Sequence, residues 1–373
     1  MVQLIIYFLN YVFLLLFFLF FYINYLGAFL IISTYKFSKY ESRKVYPKVS
    51  VIIPTRNEED VIEKTLRNLR NSNYPDLEII LVDSSDDRTK EIAKKYADKI
   101  IVAKDTKGKP NALNIGVRKA SGKIVYFLDS DSLCDRDTIK KLISYLDEDS
   151  VCVGINVPVN KNNFISRIGR LNIAFMNSMW LLGEKVMKTT LIPGKNFAIH
   201  RKLLLDIGGF KNVLTEDVNL TFRLHKAGKK IKLIEAYSYE QVPERLSWYL
   251  KQQQRWLAGG FSEIYGHIKD SSIKRSLAIT PASLLLIFSR IAVSVLTIIS
   301  ILTWNILFFI PVILIAFIML SSVHRFLDKS DYFYFPFTFF SLVFLQIGVA
   351  IYVLLRKVAG KDVEWYKTPK KKY

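Results

Sequence analysis

The chain has few of the residues that build metal and redox centres: its 373 residues include two cysteines and four histidines. Cys134 and Cys152 match no metal or redox spacing, and the histidines show no ligand spacing. We expect both cysteines to be unpaired core residues. The glycine patterns of dinucleotide-binding and P-loop proteins are also missing, which argues against both classes.

Charge is missing from two long parts of the chain. Residues 1–35 and 332–355 carry none, and residues 277–323 carry one, Arg290. Because about 20 apolar residues cross a bilayer as a helix, we expect a transmembrane helix over 1–35 and a transmembrane region over 276–355. Basic residues follow the first apolar run directly, so the positive-inside rule places the centre of the chain in the cytoplasm. The pattern predicts a multi-pass protein of the cell membrane.

The number of C-terminal spans is open at this stage. Apolar runs near 278–303, 306–323 and 332–355 would give three spans, whereas the basic tail over 356–373 favours the cytoplasm and an even number. We expect the residues around 276–290 to lie along the interface or in one bent element, after amphipathic interface helices over 243–275. The net charge of +20 lies largely beside apolar runs, where it meets anionic lipid. We therefore expect membrane lipids, and no nucleic acid, as partners.

The centre of the chain alternates between strand and helix patterns. Apolar runs at 49–55, 77–85, 99–104 and 123–131 are separated by sequences with helical spacing at 61–72, 87–97 and 109–120. Fully apolar strands that alternate with amphipathic helices indicate a parallel sheet covered on both faces. We expect an α/β domain over 46–242 with a doubly wound, mostly parallel sheet, and ligand binding beyond the carboxyl ends of its strands.

Polar residues stand at those ends. Asp129 and Asp131 follow the fourth run, and their oxygens suit Mg²⁺ or Mn²⁺, although such a pair is also common in ordinary loops. Asp83 ends the second run, where it could bind a base or ribose or cap the following helix. Lys109 could neutralise a phosphate or lie on the surface.

Two further groups follow the α/β pattern. Asp217 opens an amphipathic run, where a carboxylate could act as a helix cap or as a general base. Gln252, Arg255 and Trp256 fall in a helical stretch and could bind a sugar and a phosphate. A membrane-surface helix would explain the same residues. Both interpretations can hold, because an acceptor supplied by the membrane needs a site there.

Taken together, these motifs resemble family 2 glycosyltransferases, and more narrowly the membrane-integrated branch of cellulose, chitin and hyaluronan synthases and ceramide-glucosyltransferase-type enzymes. The resemblance rests on motifs that occur in the family's order at 49–59, 83, 107–114, 129–131, 215–217 and 252–256. It implies a GT-A fold and an inverting transfer from a UDP-sugar to a lipid or growing polysaccharide.

The resemblance also implies roles for the donor side. Thr55, Glu58, Asp83 and Lys109 would bind the nucleotide, with Asp83 at the uridine. Asp129 would lie near ribose and metal, and Asp131 would be the direct Mg²⁺ or Mn²⁺ ligand.

For the acceptor side, the resemblance implies that Asp217 activates the acceptor hydroxyl, while Glu216, Gln252, Arg255 and Trp256 line the acceptor end. The chain departs from the family at Arg56, where members often have tyrosine.

Residues 363–368 resemble a tryptophan-containing segment that closes over the donor in some relatives, and a plain basic tail is the alternative. The rival functions are a dolichyl-phosphate sugar synthase and a non-catalytic membrane transporter or scaffold with a degenerate domain.

Overall fold

The computed structural model describes residues 34–37, 42, 45–104, 106, 108–270, 313, 316–317, 319–364, 366 and 368–369. Almost all of the transmembrane helix predicted over 1–35 lies outside these residues. So do residues 276–312 of the predicted C-terminal membrane region.

Eight strands and nine helices can be assigned in this part of the chain. The strands are β1 Val49–Thr55, β2 Leu77–Asp83, β3 Lys99–Val102, β4 Ile124–Phe127, β5 Leu133–Cys134, β6 Ser150–Pro158, β7 Phe197–His200 and β8 Lys230–Glu240. The helices are α1 Ile62–Arg70, α2 Thr89–Ala93, α3 Lys109–Lys119, α4 Thr138–Ser144, α5 Phe164–Met187, α6 Arg201–Asp206, α7 Glu216–Lys226, α8 Leu246–Asp270 and α9 Lys329–Val358. A short 3₁₀ turn, His324–Phe326, precedes α9.

The strands form one sheet in the order β3-β2-β1-β4-β7-β6-β8-β5. The first four strands are parallel, as predicted. In the second half, β6 pairs in parallel with β8, so six of the eight strands share one direction. The exceptions, which the sequence did not predict, are β7, antiparallel to both β4 and β6, and β5, antiparallel to β8. The chain order reverses between β1 and β4, which opens a crevice at their carboxyl ends.

Both faces of the sheet are covered by apolar side chains. On one face, Ile52, Val82 and Phe127 pack with residues of α3 and α5. On the other face, Val51 and Ile79 pack with residues of α1 and α4. The two cysteines are buried and unpaired, as expected. Burial on both faces explains why β1 and β2 are largely apolar rather than alternating.

A second layer consists of the long helices α5, α8 and α9. Ile168, Tyr249 and Phe339, one from each helix, share a core cluster. The start of α9 is tied to α5 by a buried ion pair in which Arg170 Nη2 lies 2.6 Å from Asp331 Oδ2. Removing one partner of such a pair would leave an uncompensated buried charge. This pair therefore fixes where α9 meets the α/β domain.

One helix in the described part of the chain, α9, is long and apolar enough to cross a bilayer. It covers the apolar run predicted at 332–355 and begins at a capping box built on Asp328. The region predicted as interface helices over 243–275 contains one continuous helix, α8. Tyr249 of α8 packs with residues of α5 and α9, so the helical pattern there also reflects packing within the protein.

Candidate active site

A cavity of about 370 Å³ lies beyond the carboxyl ends of β1 and β4, within the range of small-ligand sites. Ten of the eleven residues predicted for the site line it. They are Thr55, Glu58, Lys109, Asp129, Asp131, Glu216, Asp217, Gln252, Arg255 and Trp256. Residues from strand ends and from three helices far apart in the sequence therefore meet in one place.

Asp83, the eleventh residue, lies behind this cavity at the end of β2 and is buried. Its Oδ1 accepts hydrogen bonds from Thr55 Oγ1 at 2.7 Å and from Ser85 Oγ at 2.6 Å. Asp83 does not cap the following helix, whose first residue, Thr89, donates its backbone N–H to Asp87 Oδ1 at 3.0 Å. Asp83 thus orients Thr55, a lining residue, and its contact with a base stays a prediction.

Asp129 lies between two lysines. Lys109 Nζ, at the start of α3, donates to Asp129 Oδ1 at 2.6 Å, and Lys195 Nζ lies 3.5 Å from Asp129 Oδ2. Lys195 also donates to Glu240 Oε2. Burial lowers the pKa of both lysines, but their carboxylate neighbours outweigh it and leave each pKa raised. Both ammonium groups are therefore charged at neutral pH.

Asp131 and Asp129 are the candidate ligands for a divalent cation. The described residues contain no group of three or more His, Cys, Asp or Glu side chains that could hold a metal ion. Mg²⁺, however, is commonly held by one or two carboxylates together with substrate phosphates. The cavity lining has six carboxylates and four basic side chains, an excess of two acidic groups. The oxygen donors and the charge both fit a divalent cation that arrives with a diphosphate.

Glu216 and Asp217 lie in the first turn of α7, where the helix dipole stabilises carboxylates. Burial raises the pKa of Glu216 to about 7, with Lys109 opposing that shift and Asp217 adding to it. Burial likewise raises the pKa of Asp217, although its Oδ1 accepts the backbone N–H of Val218 at 2.9 Å. These carboxylates are therefore stronger bases than exposed ones.

Gly194 lets the chain approach Asp217 closely. Its φ is +72°, and a Cβ at this position would lie 2.8 Å from Asp217 Oδ2. A larger residue would therefore collide with Asp217. The approach brings the carbonyl of Gly194 to Lys109 Nζ at 3.1 Å. The loop before β7 thereby joins the two sides of the cavity.

The helix α8 supplies Gln252, Arg255 and Trp256, as predicted. Arg255 Nη1 donates to the carbonyl of Leu214 at 3.3 Å, while its buried Nε has no hydrogen-bond partner among the described residues. A buried guanidinium N–H without an acceptor is unfavourable and suits a ligand oxygen. This end of the cavity can therefore hold a polar ligand.

Gln253, the neighbour of Gln252, points away from the cavity. Its Oε1 accepts hydrogen bonds from Asn172 Nδ2 of α5 at 3.1 Å and from Gln346 Nε2 of α9 at 2.9 Å. One amide thus joins the three long helices directly behind the lining residues of α8. The position of residues 252–256 therefore depends on α9.

Sequence reasoning missed Lys195, Glu240 and an apolar wall formed by Ile173, Met176 and Trp180 of α5. Asn163 and Ser166 form a capping box at the start of α5, and this spacing was a visible signal for that helix. Nothing in the sequence pairs Lys195 with Glu240, which is 45 residues away.

Arg56 and the C-terminal segment, which the motif resemblance singles out, also reach the cavity. Arg56, the departure from the family pattern, lines the cavity and is exposed. Tyr366 and Thr368 of the C-terminal segment line it as well, and Lys251 Nζ lies 4.4 Å from the centroid of the Tyr366 ring. Trp365 lies outside the described residues. The C-terminal segment therefore reaches the site.

Comparison with known proteins agrees with the motif resemblance. Residues 50–208 match the model of glycosyl transferase family 2. The chain is 33% identical over 240 residues to probable glycosyltransferase YdaM of Bacillus subtilis (strain 168), covering 59% of this chain and 56% of the relative. It is 29% identical over 225 residues to poly-beta-1,6-N-acetyl-D-glucosamine synthase of Staphylococcus aureus (strain MSSA476), covering 57% of this chain and 54% of the relative. The alignments thus span about half the length of these curated relatives.

The fold also has a counterpart among solved structures. The mannosyltransferase PcManGT from Pyrobaculum calidifontis, solved in complex with GDP-Man and Mn²⁺, aligns with a TM-score of 0.53. The alignment covers 82% of this chain and 96% of that one at 22% identity. At this identity the likeness concerns the fold, and it supports the expected GT-A architecture.

Proposed function

We propose that this chain, which carries a family 2 glycosyltransferase domain, transfers a sugar with inversion from a UDP-sugar to a saccharide or lipid acceptor at the cytoplasmic face of the cell membrane. The observation that carries the proposal is that carboxylates from two different elements meet in one cavity. Asp129 and Asp131 lie just after β4, and Asp217 lies in the first turn of α7. Leaving-group stabilisation and acceptor activation need such groups on two sides of a donor.

Asp131, with Asp129 beside it, would hold Mg²⁺ or Mn²⁺. When bound, the cation supplies Lewis-acid stabilisation of the departing diphosphate. The excess of acidic groups in the lining supports this, as does the Mn²⁺ in the structure of PcManGT. Lys109 would bind the diphosphate oxygens. It is the first residue of α3, and the N-terminus of a helix favours anions.

Asp217 would accept the proton of the acceptor hydroxyl. Its raised pKa brings the carboxylate nearer to neutral pH, where a general base works best. The acceptor oxygen then attacks the anomeric carbon as the bond to the diphosphate oxygen breaks on the opposite side, which inverts the configuration. Glu216, Gln252 and Trp256 would orient the acceptor, and Arg255 Nε would donate to one of its oxygens or to the diphosphate.

The acceptor class has support from two sides. The named polysaccharide synthase among the relatives favours a growing saccharide. The apolar wall of α5 and the apolar helix α9 favour an acceptor that is delivered by, or anchored in, the membrane. Both acceptors would approach along the α8 side of the cavity.

The test is nucleotide release by the detergent-purified chain over a panel of UDP-sugars with Mg²⁺ or Mn²⁺ and native lipid extract. We expect metal-dependent UDP release that falls about 10³-fold in Asp217→Asn and Asp131→Ala, since each removes a group used in the transition state. The size of the radiolabelled product separates a polymer from a single-sugar lipid. A fully active Asp217→Asn variant would contradict the assigned base.

Two rival functions are outcomes of the same assay. Transfer to dolichyl phosphate alone would identify a lipid-phosphate sugar synthase. Binding of a UDP-sugar without turnover, in wild type and variants alike, would identify a non-catalytic scaffold.

A further inference from the structure

Lys195 occupies an unusual place in the cavity wall because its ammonium group lies among three carboxylates. It donates to Glu240 Oε2, and its Nζ lies 3.5 Å from Asp129 Oδ2. The attraction of Asp131 also favours its charged form. The side chain is 10% exposed, so water contributes little to its solvation. A buried ammonium of this kind depends on its carboxylates.

The backbone around Lys195 is fixed from both sides. Gly194 and Asn196 have left-handed φ values of 72° and 51°. Asn196 donates its backbone N–H to the carbonyl of Phe127 at 2.8 Å, and its side chain accepts from Tyr126 Oη at 3.0 Å. Lys195 therefore enters the cavity from a rigid point at the start of β7, and a rotation of its side chain is the motion available to it.

Both oxygens of Asp129 therefore face an ammonium group, Oδ1 at Lys109 and Oδ2 at Lys195. A divalent cation that approached Asp129 alone would meet two positive charges within a few ångströms. At such distances, and away from bulk water, like charges repel each other strongly. A diphosphate that enters with the cation changes this balance, because its oxygens give both lysines another partner.

We propose that Lys195, held by Glu240, is a resident counter-ion of Asp129 and makes the divalent cation bind together with the nucleotide diphosphate rather than before it. This inference rests on the proposed metal-dependent transfer. Lys195 acts as a positioning residue: it keeps Asp129 paired in the empty cavity and releases it when phosphate oxygens arrive. Loss of its charge would remove the ammonium group that interacts with Asp129, Asp131 and Glu240, and so would remove one positive charge that opposes a cation at Asp129.

The test measures Mn²⁺ binding by the full chain in detergent, from the free-Mn²⁺ electron paramagnetic resonance signal, with and without UDP. For wild type we expect weak binding without UDP and binding about tenfold tighter or better with it. In Lys195→Met the Kd for Mn²⁺ without UDP should fall about tenfold, and the gain from UDP should shrink. Lys195→Arg keeps the charge and should behave as wild type.

Lys232→Met is the matched control. Lys232 is a similarly buried lysine whose Nζ lies 2.5 Å from Asp147 Oδ2 on another part of the domain. This variant loses a buried ion pair without touching the cavity, so its Mn²⁺ binding should equal wild type. Adding Asp131→Asn to Lys195→Met should abolish the tighter Mn²⁺ binding of Lys195→Met, which would place the ion at Asp131. If Lys195→Met does not fold, Lys195→Met/Glu240→Gln removes both charges of the pair and should still weaken the dependence on UDP.

The outcomes separate this inference from the proposed function, because no donor sugar or acceptor is present. Wild type that binds Mn²⁺ equally with and without UDP, or a folded Lys195→Met with unchanged Mn²⁺ affinity, overturns the role of Lys195 even if transfer is observed. Absence of Mn²⁺ binding in every variant overturns it as well. Tighter Mn²⁺ binding in Lys195→Met supports it even where no sugar is transferred.

Discussion

The two halves of the cavity are held in place by different means. In the donor half, Asp83, Asp129 and Asp131 follow strand ends that the sheet fixes directly; for example, the N–H of Ser84 donates to the carbonyl of Thr55 at 3.0 Å. In the acceptor half, which comprises Asp217, Gln252, Arg255 and Trp256, the side chains project from α7 and α8. The position of α8 depends on α5 and α9 through Gln253.

This difference implies that the two halves respond to different changes. Hydrogen bonds between strands make the donor half part of the core of the α/β domain. The acceptor half depends in addition on a helix that begins about 60 residues after α8 ends and is apolar enough to cross a bilayer. Changes at the junction of the three long helices should therefore alter acceptor use and leave donor binding intact.

Among changes that compare the two halves, the largest effect should come from Lys109→Met, because Lys109 belongs to both halves. Its Nζ donates to Asp129 at 2.6 Å and lies 3.8 Å from Glu216 Oε1. Loss of the ammonium leaves the partly buried Asp129 and the buried Glu216 without this partner, and the diphosphate without a donor. We expect kcat/KM for the UDP-sugar to fall about 10²–10³-fold.

Lys99→Met is its control. Lys99 Nζ forms an ion pair with Glu78 at 2.7 Å at the outer end of the sheet. Transfer kinetics should match wild type in this variant. If Lys109→Met raised the acceptor KM alone, the division of the cavity into halves would be wrong at this residue.

A smaller and more selective effect is expected of Gln253→Leu. The substitution removes the acceptor for Asn172 Nδ2 and Gln346 Nε2 and so loosens α8 against α5 and α9. We expect the acceptor KM to rise about tenfold, which corresponds to roughly 1.4 kcal/mol, within the usual range for buried hydrogen bonds. The Kd for UDP, measured by calorimetry, should stay unchanged.

Asn68→Leu provides the comparison for Gln253→Leu in the donor half. Asn68 also makes two hydrogen bonds, with the carbonyl of Cys134 at 3.0 Å and its N–H at 2.8 Å. The Asn68→Leu substitution should lower the free energy of unfolding by about as much as Gln253→Leu does, and it should leave the acceptor KM as in wild type. Equal effects of the two variants on the acceptor KM would show general destabilisation rather than a junction specific to the acceptor half.

The parallel half of the fold could be predicted from sequence because its signals are local. Strands β1 to β4 are short apolar runs between amphipathic helices, and their predicted positions agree with the structure to within a few residues. The second half gives weaker local signals. Strand β5 has two residues and β7 has four, and both pair with strands distant in the sequence. Their antiparallel direction is decided by tertiary contacts.

The site divides in the same way. Asp129, Asp131 and Asp217 could be predicted because the motifs place them at a strand end and at the start of a helix. The pairing of Lys195 with Glu240 could not, because the two residues meet only after β7 and β8 have joined the sheet. Single residues with fixed local positions are therefore visible in the sequence, whereas their charge partners depend on the completed fold.

The last effect concerns stability rather than transfer, and it arises at Glu216, which lies where the halves meet. Burial raises its pKa from 4.5 to about 7, so the folded chain binds a proton between these pH values that the unfolded chain has released. The free energy of unfolding should therefore fall as pH rises from 5 to 8, since stability decreases where the folded state holds more protons. Glutamine at position 216 binds no such proton. At pH 8 the free energy of unfolding of Glu216→Gln should therefore exceed that of wild type by about 1–3 kcal/mol.

The measurement is the melting temperature of Glu216→Gln and wild type at pH 5 and pH 8. The variant should melt several degrees higher than wild type at pH 8, and the difference should shrink at pH 5. Glu78→Gln is the control: burial raises the pKa of Glu78, but hydrogen bonds from Lys99, Ser50 and Ser121 outweigh it and hold the pKa at about 2. That group titrates below this window, so the pH 5–8 slope should stay as in wild type. A Glu216→Gln variant with the wild-type slope would mean that Lys109 keeps Glu216 ionised, and that the donor half extends to α7.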